Sequence, residues 1–128
     1  MATSIIGKFE ELCKLATVTY ADTDNTDLFD LPPNSYVLGV LVDVVTAFSG
    51  GESQLLDIGI KNLAGTDEDY FANDIDVSAA NRASVTALKH GIKLDDRPVT
   101  ITAKVASGDT AGEANIAICY VNLGIRHH

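Results

Sequence analysis

The run Tyr36–Phe48, YVLGVLVDVVTAF, limits this chain more than any other stretch. Val and Leu dominate it, Pro32-Pro33-Asn34 precedes it and Gly50-Gly51 follows it, so it reads as one long β-strand. In an extended chain Leu38, Val40, Val42 and Val44 share one face. Val37, Leu41, Val45 and Ala47 lie on the other, interrupted by Gly39 and Asp43. A strand apolar on both faces needs cover on both, from the middle of a packed sheet or from a neighbouring subunit. A second apolar run, QLLDIGI, follows the Gly-Gly pair at once, and the two runs are expected to form a hairpin.

A chain of 128 residues suits one domain with a single core. Trp is absent and aromatic residues are only 6 % of the chain, so Val, Ile, Leu and Ala must fill that core, a usage that favours strands. No stretch of about eighteen apolar residues is present, so no membrane-spanning helix is expected. The opening MATSIIGKFEELCK has neither a basic start nor a long apolar core, and no secretory leader is expected. Eighteen acidic side chains against nine basic ones leave a net charge of −9, with no cluster of Lys or Arg. Binding to nucleic acid requires a basic face that displaces counterions, so nucleic acid is excluded as a partner, and anionic membrane with it. Cys13 and Cys119 lie far apart, without CxxC spacing, and Cys119 falls inside an apolar strand pattern; both are expected to be free thiols.

Taken in order, Ser4–Leu15 has Ile5, Ile6, Phe9, Leu12 and Cys13 at helical spacing, and the same residues suit an extended arm that rests on another subunit. Residues 1–14 are therefore read as an N-terminal arm or short helix, and 15–128 as a single β-domain. KLATVTY alternates as a first strand would, and LFDL forms a short strand stopped by Pro32-Pro33. KNLAGTDEDYFANDIDVSAANRAS reads as a polar loop with a short strand or turn around Tyr70-Phe71. A further short strand is expected over Val85–Leu88, followed by the loop KHGIKLDD. In RPVTITAKVA the residues Val99, Ile101, Ala103 and Val105 point inward, and Gly108-Asp109 is the pivot of the next turn. ANIAICYV ends the sheet, Ile116, Ile118 and Tyr120 on one face and Ala117, Cys119 and Val121 on the other. This spacing of strands and turns describes an all-β antiparallel sandwich or barrel of about eight strands.

Chemistry finds little support. Asp22, Asp24 and Asp27 resemble the opening of a calcium-binding EF-hand loop, but its sixth position is Asp27 instead of Gly and its twelfth Pro33 instead of Glu; a solvated turn is the better reading. Asp67, Glu68, Asp69, Asp74 and Asp76 have no spacing that dictates a cation. His90 stands in a polar loop without a nucleophile motif, and the Cys and His spacings do not suit zinc. No phosphate- or dinucleotide-binding glycine motif occurs. The shortage of aromatic residues also counts against a sugar platform. No enzyme, cofactor or metal is expected; what remains is a surface used for association. Its candidate residues are Ile5, Ile6, Phe9, Leu12 and Tyr36.

Four stretches in this order, LFDLPPNSYVLGVLVDVVTAFSGG, LLDIGI, GTDEDYFANDIDVSAA and RPVTITAKVASGDTAGEANIAICYV, resemble the capsid decoration or cement proteins of tailed bacteriophages and related β-sandwich head proteins. Thr46-Ala47-Phe48 and Thr110-Ala111-Gly112 are the nearest echoes of that family's pattern. The resemblance spans roughly residues 27–121 and does not extend to SIIGKFEELCKL. It implies a jelly-roll sandwich, frequently a homotrimer, made in the host bacterial cytoplasm and placed on the outer capsid surface. There it would bind major capsid protein where capsomers meet and stabilise the head. Another virion role on the same fold, such as a fibre base, a head–tail connector or a tail protein, is the alternative, followed by a soluble glycan- or ligand-binding sandwich.

Overall fold

The computed structural model describes residues 12–80, 82–85, 92–94 and 97–122. They form β1 (Leu12–Thr19), β2 (Thr26–Leu31), β3 (Ser35–Ser49), β4 (Leu55–Asn62), β5 (Gly65–Asp76), β6 (Arg82–Val85), β7 (Ile92–Lys93), β8 (Val99–Val105) and β9 (Ala111–Asn122). One sheet has the order β1-β9-β3-β6, with the short β7 also on β3; the other has the order β2-β8-β4-β5. Every described pairing is antiparallel. Apart from the two-residue β7, the described strands form an eight-stranded jelly roll: the strand spacing anticipated about eight antiparallel strands, and the family resemblance implied the jelly-roll arrangement.

Tyr36–Phe48 lies at the centre of the first sheet, between β9 on one side and β6 and β7 on the other. Val40, Val42 and Val44 point into the core, where they meet Ile116, Ile118 and Ala114 of β9 on the same inner face. Leu56, Ile58, Ile60, Ile101, Val99 and Phe71 close the core from the other sheet. The inward set predicted for β8, namely Val99, Ile101, Ala103 and Val105, is buried.

Several expectations need correction. The hairpin expected between Tyr36–Phe48 and QLLDIGI does not exist: β3 and β4 belong to different sheets. Gly50-Gly51 carries the chain across the sandwich, and the Gly108-Asp109 pivot does the same between β8 and β9. A Gly-rich turn between two apolar runs looks alike in sequence whether the runs pair side by side or pack face to face. The hairpin is instead β4–β5, closed by Leu63-Ala64 with Asn62 opposite Gly65, inside the stretch read as a loop. The Asn62 side-chain oxygen accepts the Ala64 N–H at 2.9 Å there, a local turn bond that Asn supplies.

Register also departs from simple alternation. An irregularity between Val37 and Gly39 turns Val37 inward and leaves Leu38 exposed, the reverse of the predicted faces. β1 begins at Leu12, so the helix read over Ser4–Leu15 does not include its last four residues. Ile5, Ile6, Phe9 and the rest of that segment lie outside the described residues. Of the strand expected over Val85–Leu88, only Val85 is described, as the last residue of β6, and the stretch read as the loop KHGIKLDD contains β7. Finally, Cys13 and Cys119 are not free thiols: they are opposite one another in the β1–β9 register and form a disulfide. A sequence separation of 106 conceals a contact that the pairing of the first and last strands makes immediate.

The two sheet crossings are tied together at one end of the sandwich. Thr110 N–H donates to the Ser49 carbonyl at 2.8 Å. The buried Asp109 carboxylate accepts the Gly51 N–H at 2.9 Å and the Gln54 side-chain amide at 3.1 Å.

Candidate functional site

The outer faces of the two sheets differ in chemistry. On β2-β8-β4-β5 the outward side chains are mostly charged or hydroxylic and engage one another. Lys61 pairs with Asp27 at 2.7 Å, Lys104 with Glu68 at 3.4 Å, and the Thr100 hydroxyl donates to Asp30 at 2.7 Å. The Asp67–Glu68 backbone of β5 also lies over Gly59 of β4, where it leaves no room for a Cβ. Close by, Thr102 of β8 is buried although strand alternation predicts it outward. This face is covered or solvated.

The outer face of β1-β9-β3 is different. Strand register sets Leu15, Ala117 and Leu41 in one row across three strands, and Cys13, Cys119 and Gly39 in the next. Leu15 is 67 % exposed, Leu41 48 %, Val45 48 % and Leu38 43 %. Tyr36 and Val121, paired and half-buried, continue the apolar surface beyond the disulfide. Toward the sheet crossings the rows turn polar: Thr17, Asn115 and Asp43, then Thr19, Glu113 and Thr46. Thr17 donates to the Asn115 side chain at 2.8 Å. Leu15, Leu41 and Leu38, with Ala117, Tyr36 and Val121, therefore form an apolar surface that no described residue covers, while Val45 stands apart beyond the Asp43–Asn115 row. Scattered exposed apolar residues are ordinary on protein surfaces, but a contiguous group on one sheet face marks a contact surface. The two-sided apolar character of Tyr36–Phe48 is thus divided: the inner half builds the core and the outer half faces away from it.

Of the residues assigned to an interface from sequence, Tyr36 belongs to this face. Leu12 does not: it stands opposite Tyr120 in an inner-face row at the sheet edge, 41 % exposed. Ile5, Ile6 and Phe9 lie outside the described residues. Leu15, Leu38, Leu41 and Val45 were missed as surface residues. For Leu41 and Val45 the signal was their alternation with Val40, Val42 and Val44, which does not say which face is left open; Leu38 carries no such signal, because the irregularity beside Gly39 moved it.

Catalytic geometry has no focus in the described part. A groove of about 720 Å³ between the two sheet crossings is lined by Gly50, Gly51, Glu52, Ser53, Ala106, Ser107 and Gly108, with a single ionisable side chain. No three His, Cys, Asp or Glu residues converge as metal ligands among the described residues. Of the acidic residues at 22–27, Asp22 accepts the Thr19 N–H at 2.8 Å and Asp27, in β2, is engaged by Lys61. In the β5 region the hydrogen bond that a protonated Asp69 carboxyl donates to Asp67 raises Asp69 above its ordinary 3.8. Ser78 lowers that of Asp76, its hydroxyl donating at 2.6 Å and its N–H at 2.9 Å. His90 lies outside the described residues. No described helix is long and apolar enough to cross a membrane.

No protein-family model and no curated protein matches the sequence. The fold, in contrast, is shared with chains of three solved phage structures. A chain in the capsid of Ralstonia phage GP4 superposes with a TM-score of 0.71 at 22 % identity, over 98 % of this chain and 92 % of that one. A chain of the cyanophage Pam1 capsid asymmetric unit gives 0.64 at 13 % identity, over 95 % and 92 %. A chain of the acidic stable capsid structure of Helicobacter pylori bacteriophage KHP30 gives 0.62 at 16 % identity, over 94 % of this chain and 100 % of that one. At these identities the likeness is one of fold. It runs nearly end to end in both directions, so each of these chains is close to this one in length.

Proposed function

We propose that this chain is a structural protein of a tailed-phage virion, a decoration protein that binds major capsid protein on the outer surface of the head and stabilises the shell. The observation that carries this reading is the end-to-end match in fold to capsid chains of nearly the same length. Chains of this size that recur in capsid structures suit an accessory role, in which many small contacts add up to a large effect. The exposed aliphatic surface around Leu15, Leu41 and Leu38 is available for that contact. The net charge of −9 accords with a position outside the shell, away from packaged DNA. Three copies acting together would span neighbouring capsomers, the arrangement implied by the family resemblance. The described residues bring no catalytic groups together, and the proposed mechanism is adhesion.

The test has two steps. Light scattering gives the mass in solution, and cosedimentation with expanded heads stripped of accessory protein gives binding. A trimer that decorates the heads in many copies and raises their melting temperature supports the reading. A monomer that stays in the supernatant sinks it. Binding confined to a single vertex would assign the chain to a connector role instead.

A further inference from the structure

β1 is an edge strand with little hold on the core. Val18 is its only buried residue, while Leu12 and Leu15 are exposed. Its main attachment is the ladder to β9, in which Leu12 stands opposite Tyr120 and Cys13 opposite Cys119. Because the two strands are antiparallel, the polypeptide before Leu12 and the polypeptide after Asn122 join the sheet at the same end. The ladder's hydrogen bonds run perpendicular to the strands, so tension applied through those two flanks would load them from that end, one rung after another. The disulfide occupies the second described rung from that end. The loop it closes, Lys14–Ile118, holds every described core residue except Tyr120. Cys13 is exposed on the outer face, so a reductant reaches the bond without unfolding.

We propose that Cys13–Cys119 is a redox-dependent mechanical clasp, which carries tension between the N-terminal and C-terminal flanks directly from Cys13 Sγ to Cys119 Sγ and so shields the fold from it. With the bond closed, force applied at the two ends bypasses every described core residue except Tyr120, which lies beyond Cys119 and is paired with Val37. With it open, the same force peels β1 from β9 and then dismantles the sandwich from its first strand. The inference concerns the chain alone and holds whichever partner the flanks engage. It is therefore separable from the virion reading.

The test is to stretch the full chain in an optical trap by handles at Met1 and His128, with and without tris(2-carboxyethyl)phosphine. Reduction breaks the Sγ–Sγ bond: the phosphine supplies two electrons and leaves as its oxide with the oxygen of water, whose two protons complete the thiols. The oxidised chain should extend by its flanks alone. The reduced chain should show an added unfolding step of roughly 350 Å, the contour length of the 106 residue steps from Cys13 to Cys119 at about 3.3 Å each. The same step in both states overturns the proposal, as does a mass spectrum of air-oxidised protein that shows two free thiols. Hydrogen exchange gives a second reading that needs no substitution. On reduction the β1 amides should lose protection at least tenfold while those of β3 and β8 keep theirs. Unchanged β1 protection also overturns the proposal.

Discussion

The Phe48 ring occupies the space in which a side chain at Gly112 would stand. Phe48 closes β3 and Gly112 opens β9, so this contact joins the two central strands of one sheet where both turn toward the other. Gly112 also has φ 147°, a conformation that favours glycine. The two motifs that carried the family resemblance, Thr46-Ala47-Phe48 and Thr110-Ala111-Gly112, are the two halves of this one contact.

Gly112→Ala should therefore destabilise by at least about 2 kcal/mol, from backbone strain plus overlap with the ring. Gly65→Ala makes a control, because Gly65 also has positive φ but open space around its α-carbon, so only the backbone contribution of about 1–2 kcal/mol applies. Urea denaturation measures both. In a Phe48→Ala background the cost of Gly112→Ala should shrink, since the two sites are coupled through one contact. Equal costs for Gly112→Ala and Gly65→Ala would argue against the packing role of Phe48.

Adjacent residues of β3 should give opposite outcomes. Val42 is 1 % exposed, and Val42→Asp would place a carboxylate in the core with no partner, a cost of several kcal/mol that should abolish folding. Leu41→Asp should change stability by no more than about 0.5 kcal/mol, as surface substitutions usually do. It should nevertheless weaken binding to phage heads if the open face is the contact surface. Circular dichroism and urea melts check the first pair of outcomes and head cosedimentation the third. A folded Val42→Asp protein would contradict the assignment of inner and outer faces.

Two carboxyl groups near the end of β5 should titrate in opposite directions from 3.8. Asp69, raised by its hydrogen bond with Asp67, binds its proton more tightly folded than unfolded. Its contribution to stability is present below 3.8 and lost as pH rises through the folded value. Asp76, lowered by Ser78, does the reverse: its contribution is present above 3.8 and lost as pH falls through the depressed folded value. Carbon-detected NMR titration of the side-chain carboxyls resolves the two. Ser78→Ala should return Asp76 toward 3.8 and leave Asp69 where it is.

Much of the fold was legible because strand alternation is a local property. The inward faces of β8 and β9 could be read directly, since Val99, Ile101, Ala103 and Val105, and then Ile116, Ile118 and Tyr120, recur at every second residue. β5 was not legible as a strand. Gly65–Asp76 is acidic and largely exposed, and its extended form comes from pairing with β4, not from an apolar face of its own. Leu38 was misassigned because one irregularity in register exchanges the two faces, and nothing in the residues beside Gly39 announces it.

The chain's own residues determined that it would be an all-β antiparallel fold of about eight strands, with Tyr36–Phe48 as a central strand and a net charge of −9. These follow from side-chain periodicity and charge, which each segment carries by itself. Tertiary structure alone decided which strands are neighbours. It sent Gly50-Gly51 across the sandwich instead of into a hairpin, brought Cys13 to Cys119, and left Leu15, Leu38, Leu41 and Val45 exposed. Each of these depends on the pairing of residues distant in sequence, and in a jelly roll most consecutive strands lie in opposite sheets, so chain order is a poor guide to contact.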